Sequence, residues 1–189
     1  MAGARSTFGP TALATPANAV TIIRLAATPV LMSLIVAEGA SWTTVAVWFM
    51  IAATDGVDGF VARRQGTTRS GAFLDPLADK VCVLGAMLAL VQQHVFWWAP
   101  VAVIAVREFG LVAYRSMLAR RGVSVPATRG AKVKTWLQSL AVGAALLPST
   151  ARHPLFGRGL LWVAVVLTVV TGAQYLLDGQ RSRPASAAA

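Results

Sequence analysis

Asp55 to Asp79 reads DGVDGFVARRQGTTRSGAFLDPLAD, and the reading of this stretch decides the rest of the chain. The protein has 189 residues and only seven acidic ones, four of which (Asp55, Asp58, Asp75 and Asp79) fall here. Glu38, Glu108 and Asp178 are scattered elsewhere. Asp55 and Asp58 are three apart and Asp75 and Asp79 four apart, so on helices each pair shares one face. Two such faces brought together make a cage of four carboxylates. Both pairs abut strongly apolar sequence, where a charge is costly and marks a function.

The surrounding composition says where this cage sits. Hydrophobic residues make up 56% of the chain and charged ones 13%, about half the charge of an ordinary soluble domain. The length suits one domain, and the composition places it in a bilayer. A net charge of +10 could indicate nucleic acid or an anionic membrane surface, and the apolar runs decide for the membrane, with no nucleic-acid partner. Cys82 is the single cysteine and sits in apolar sequence, which excludes a disulfide framework and a thiolate metal cluster.

Six apolar segments are each long enough to span about 30 Å of hydrocarbon. They run near Ala19–Ala37, Trp42–Arg63, Leu74–Val91, Trp98–Leu118, Ala131–Leu147 and Leu155–Leu177. The expected architecture is therefore an all-α integral membrane protein of six transmembrane helices. Residues 1–16 read as a flexible arm, 17–178 as the membrane domain and 179–189 as a disordered tail. Arg24 interrupts the first apolar run and further spans follow, which argues against a cleaved signal peptide. With both termini in the cytoplasm, most of the Lys and Arg falls inside, and only Arg152 and Arg158 fall outside. Trp42, Trp97, Trp98 and Trp162 then mark the outer boundary as an aromatic belt. The carboxylate pairs come to the cytoplasmic boundary, joined by the basic, hydroxyl-rich loop RRQGTTRSG.

An Asp at a helix centre costs about 2.5–3.5 kcal/mol on insertion scales, less near the boundary, and four together repel one another. Divalent cations offset both effects. An all-oxygen donor set suits Mg²⁺ or Mn²⁺, and four carboxylates can hold two ions, as in two-metal phosphoryl transfer. Arg63 could neutralise a phosphate that the ions leave uncovered, and Gly59, Ala62 and Gly71 leave room beside the helices. A cation or proton pathway also uses intramembrane carboxylates, but these cluster at one interface instead of marking a path across the bilayer.

The pattern Asp55-x-x-Asp58-Gly59-x-x-Ala62-Arg63, then Gly71-x-x-x-Asp75-x-x-x-Asp79, resembles the signature of the CDP-alcohol phosphotransferases. Asn18-x-x-Thr21-x-x-Arg24 with Pro29, FLDPLADK, Arg107-Glu108, RGAKVKTWLQ and TGAQYL are similar to the phosphatidylglycerophosphate synthase branch. The similarity covers about residues 16 to 177. It implies a six-helix enzyme of the bacterial inner membrane, homodimeric, with its active site facing the cytoplasm and CDP-diacylglycerol as donor. It further implies that Asp55, Asp58, Asp75 and Asp79 bind the two ions and that Asp79 takes the proton of the acceptor hydroxyl. Asn18, Thr21, Gly59, Arg63 and Thr68 would hold the CDP portion, with Gly71 making room. Here seven residues, Arg64 to Ser70, separate Arg63 from Gly71, where the family has eight. Both Asp spacings are kept, so the difference falls on contacts made by the loop, Thr68 above all.

The acceptor expected from this resemblance is glycerol 3-phosphate, whose phosphate calls for cationic donors near the same interface. Arg107, Arg115, Lys132 and Lys134 are the candidates. Phosphatidylglycerol, as in a cardiolipin synthase, and inositol phosphate, as in a phosphatidylinositol-phosphate synthase, are the competing acceptors. The competing class is a cation-binding membrane protein without catalysis.

Overall fold

A chain in hydrocarbon must satisfy its backbone polar groups internally, so runs of this apolarity and length resolve as helices. The computed structural model describes the backbone of residues 16–65, 69–120 and 129–181, and the side chains of residues 19–54, 77–114, 117 and 133–175. The helices are α1 (Pro16–Glu38), α2 (Trp42–Gln65), α3 (Arg69–Gln92), α4 (Trp98–Arg120), α5 (Arg129–Leu146), α6 (Pro148–Ala151) and α7 (Pro154–Arg181). The single-turn α6 belongs to the connection between α5 and α7, leaving six long helices among the described residues. They coincide with the six apolar segments to within a few residues. The largest difference is at the start of α3, which takes in Arg69 to Phe73 ahead of the apolar run.

Local chemistry explains the sharp turn between α1 and α2. Gly39 adopts φ +63°, the left-handed conformation that closes a helix cheaply only without a Cβ. Ser41 then caps α2: its Oγ accepts from the Thr44 amide at 3.1 Å, while Thr44 Oγ1 accepts from the Ser41 amide at 3.0 Å. Ser41 Oγ also donates to Glu38 at 2.8 Å, so the acid that ends the first helix pins the start of the second.

Three connections gather at one end of the bundle. Gln93 donates to the Val36 carbonyl, tying the end of α3 to the end of α1. Arg158, at the start of α7, donates through Nε to Val95 O at 2.9 Å and through Nη2 to His94 O at 3.3 Å. Trp42, Trp97 and Trp98 lie exposed at this end, and Trp97 and Trp98 meet edge to face. That is how a belt at a membrane boundary would look.

α1 packs against both α2 and α3, α5 against α7, and α4 against α3 and α7. The core formed between them holds Leu31, Ile35, Trp48, Met87, Leu90, Ile104, Val142 and Leu161. Small residues set the spacing, as expected where packing alone drives helix association. A Cβ on Gly143 would lie 3.3 Å from Trp48 Nε1, so this glycine admits the indole. A Cβ on Gly85 would lie 3.0 Å from Thr28 Cγ2 and 3.1 Å from Met32 Sδ. Met32 can yield, but Thr28 is held by its hydroxyl on Arg24 O at 2.9 Å. We expect Gly85→Leu to destabilise the α1–α3 contact by about 1–3 kcal/mol, and Gly85→Ala by less. Thermal melting of the detergent-solubilised variants checks the order.

Outward, the bundle presents Ile23, Phe49, Met50, Val106, Trp136 and Val166, all exposed. A soluble monomer rarely exposes so many large apolar side chains. Two of the described helices, Ala19–Glu38 and Pro154–Tyr175, are long and apolar enough to cross a membrane, and Trp42–Thr54 is a shorter apolar stretch. The other long helices are described in full over shorter stretches.

Candidate active site

The helical register predicted for the two carboxylate pairs is present. α2 remains helical through Asp55 and Asp58, and α3 through Asp75 and Asp79. Each pair therefore sits within about one turn of its own helix. The side chains of Asp55, Asp58 and Asp75 lie outside the described residues, as do those of Asn18, Gly59, Arg63, Gly71, Arg115 and Lys132; Thr68 lies outside altogether.

Asp79 and Thr21 are described. Asp79 is half-buried and lines a cavity of about 170 Å³ among α1, α2, α3 and α5. Arg24 of α1, Trp48 and Ile51 of α2, Cys82 of α3, and Thr135 and Ser139 of α5 complete most of its wall. Thr21 is fully buried one turn before Arg24, which is itself 3% exposed. Trp136 borders the cavity and is exposed on the flank of α5, so the space reaches the outer flank of the bundle. Cys82 is buried, in keeping with a packing role. A cavity that joins a carboxylate to an apolar flank suits a substrate with a charged head and a lipid tail.

The donor set is consistent with a divalent cation. The four residues in the two pairs offer only carboxylate oxygen, which matches hard cations, and Asp79 stands at a cavity edge and not inside packed core.

A second charged group centres on Glu108. Glu108 on α4 is 3% exposed and accepts from three cations on three helices. Lys134 of α5 and Arg107 Nη1, the latter at 3.0 Å, reach its Oε1, and Lys80 of α3 reaches its Oε2. Arg107 is fixed further by α7: Nε donates to Thr168 O at 3.1 Å and Nη2 to Thr171 Oγ1 at 3.0 Å. Gly172 makes this possible, since a Cβ there would stand 3.3 Å from Arg107 Nε. Lys134 and Gln138 both turn inward, one turn apart, and Gln138 donates to Thr168 Oγ1 at 3.2 Å. Nearby on α7, Tyr175 is buried against Tyr114, and its hydroxyl has no hydrogen-bond partner among the described residues.

The structure thus joins two of the four expected acceptor-phosphate residues, Arg107 and Lys134, through one carboxylate. Nothing in the linear sequence pairs either with Glu108 or brings Lys80 to them. The available signal was a lone acid beside an arginine in an otherwise apolar helix.

Fold and site together define a helical bundle with an apolar exterior and a charged, cavity-bearing interior. The chain belongs to the CDP-alcohol phosphatidyltransferase family, whose model matches residues 14–170. Among curated relatives, it is 39% identical over 177 residues to a Bacillus subtilis protein named CDP-diacylglycerol–glycerol-3-phosphate 3-phosphatidyltransferase, covering 84% of this chain and 91% of that one. It is 35% identical over 176 residues to a Mycobacterium tuberculosis protein named probable phosphatidylglycerophosphate synthase, covering 89% and 83%. A Haemophilus influenzae protein with the same name as the B. subtilis one is 37% identical over 144 residues, covering 74% and 78%.

Proposed function

We propose that the protein transfers the phosphatidyl group of CDP-diacylglycerol to glycerol 3-phosphate, giving phosphatidylglycerophosphate and CMP. The observation that carries this reading is the position of Asp79, at the edge of a flank-reaching cavity and one residue before a member of the Glu108 cation cluster. The names of the relatives support the choice of donor and acceptor.

In this reading, Asp55, Asp58, Asp75 and Asp79 hold two divalent ions, Mg²⁺ or Mn²⁺. When bound, these supply positive charge to the pyrophosphate oxygens of the donor. Asn18, Thr21, Gly59, Arg63 and Thr68 hold the CDP portion, Gly71 leaves room for it, and the acyl chains lie toward the flank near Trp136. Arg107 and Lys134, with Arg115 and Lys132, bind the acceptor phosphate and so orient its hydroxyl at the donor phosphorus. Asp79 accepts the hydroxyl proton. A P–O bond forms at the phosphorus carrying diacylglycerol, the pyrophosphate P–O bond breaks, and CMP leaves.

The same reading takes the six long helices as spans of a bacterial inner membrane. Both termini and the site face the cytoplasm, residues 17–178 form the catalytic domain, and the protein is a homodimer. The excess of Lys and Arg at the end opposite the three gathered turns supports this sidedness.

The deciding experiment supplies purified protein with CDP-diacylglycerol, Mg²⁺ or Mn²⁺, and each of glycerol 3-phosphate, phosphatidylglycerol and inositol phosphate, and measures CMP. Release with glycerol 3-phosphate alone is expected. Release only with another acceptor reassigns the substrate, and none with any acceptor leaves the cation-binding alternative. For the donor contacts, we expect Arg63→Ala to lower kcat/KM for CDP-diacylglycerol more than Thr68→Ala does. The loop carrying Thr68 is one residue short of the family's pattern, whereas Arg63 keeps its spacing to both acids.

A further inference from the structure

Glu108 belongs to neither the carboxylate pairs nor the phosphate-binding residues, yet it pairs with three cations. One cation would be enough to offset a buried carboxylate. This one gathers three, from α3, α4 and α5, two positive charges more than the carboxylate they share can offset. Such a surplus is unfavourable unless an anion completes it.

Each ammonium spends one of its three donors on Glu108, and the side chains of Lys80 and Arg107 remain 21% and 15% exposed. Three cations anchored on the two oxygens of one carboxylate are also held close to one another, so that one phosphate can meet them together. Without the carboxylate they would repel and separate.

We propose that Glu108 is a positioning residue for the acceptor. Its carboxylate holds Lys80, Arg107 and Lys134 together so that they meet the phosphate of the acceptor as one preformed site. Lys80 thereby joins the acceptor-binding group, and its backbone links that group to Asp79, the adjacent residue. The inference rests on the transfer reaction proposed above.

A phosphate bound away from the reacting hydroxyl contributes mainly to ground-state affinity, so its loss should appear in KM more than in kcat. We expect Glu108→Gln to raise KM for glycerol 3-phosphate about 10–100-fold, as loss of an orienting partner does. KM for CDP-diacylglycerol should stay within about twofold. Glu108→Asp keeps the charge on a shorter side chain and should recover part of the loss. Melting temperature in detergent is read in parallel. The double variant Glu108→Gln, Lys80→Gln removes one positive charge with the negative one. If Glu108 only balances charge, this variant regains stability and matches the KM of Lys80→Gln alone; if it positions Arg107 and Lys134, stability recovers and KM for glycerol 3-phosphate stays above that of Lys80→Gln.

Should Glu108→Gln not fold, the same comparison of the two KM values is made on the double variant and on Glu108→Asp. Equal changes in both KM values, or an unchanged KM for glycerol 3-phosphate, overturn the proposal. If the wild-type protein releases no CMP with glycerol 3-phosphate, the reaction itself is misassigned, which the wild-type control reveals before any variant is compared.

Discussion

Asp79→Asn is expected to lower CMP release by about 10³-fold or more while the protein still inserts and melts near the wild-type temperature. Two losses combine at this position in the proposed mechanism. Asparagine cannot accept the hydroxyl proton, and a positioned base contributes about 10²–10⁴-fold. It also withdraws one anionic ligand from the ion site. Stability should change little because Asp79 lines a cavity and is only half-buried, and asparagine has the same size and shape. A single-turnover assay with saturating CDP-diacylglycerol and glycerol 3-phosphate gives the comparison. Activity within about tenfold of wild type would remove Asp79 as the base. Loss of activity accompanied by loss of folded protein would point to a structural role for the side chain.

Stripping divalent cations with a chelator is expected to abolish turnover, and Mg²⁺ or Mn²⁺ to restore it. The reason lies in the charge inventory. Four of the seven acids in the chain fall within one stretch of 25 residues, and their mutual repulsion at a membrane boundary is costly without cations. The donor is anionic as well, so transfer would bring a pyrophosphate up to carboxylates that no cation screens. Chelation should therefore act on both sides of the encounter, on donor binding and on leaving-group charge. It should also lower the melting temperature, since ions bound only by the folded state stabilise it by mass action. CMP release that persists at full rate in excess chelator would exclude the two-ion reading.

The carboxylate pairs illustrate what linear spacing can decide. Three- and four-residue separations place acids on one face of any helix, and α2 and α3 do run through both pairs. The six long helices were legible for a related reason. In hydrocarbon, the helix is the only local structure that satisfies every backbone group of an isolated apolar run, so length and hydropathy determine it without knowledge of neighbours. Gly39 and Ser41 likewise mark the first turn by local chemistry.

Partnerships between helices were not legible. Lys80, Arg107, Glu108 and Lys134 lie up to 54 positions apart, and nothing in their spacing says that they share a carboxylate. Arg107 was a plausible phosphate ligand on charge alone, but its contacts with Thr168 and Thr171 depend on α7 packing against α4. The cavity is a further case. Reading the two acid-bearing helices as facing each other misses that α1 packs on both and that α5 supplies another wall.

By itself, then, the sequence determined the helices, the turn chemistry, the clustering of four carboxylates and the family signature they form. These follow from periodicity and from the cost of polar groups in an apolar solvent, which act over a few residues. The tertiary structure alone decided where Asp79 opens onto a cavity and which cations gather on Glu108. Those depend on how close one helix lies to another, a distance set by small residues such as Gly85, Gly143 and Gly172 against side chains far away in the chain.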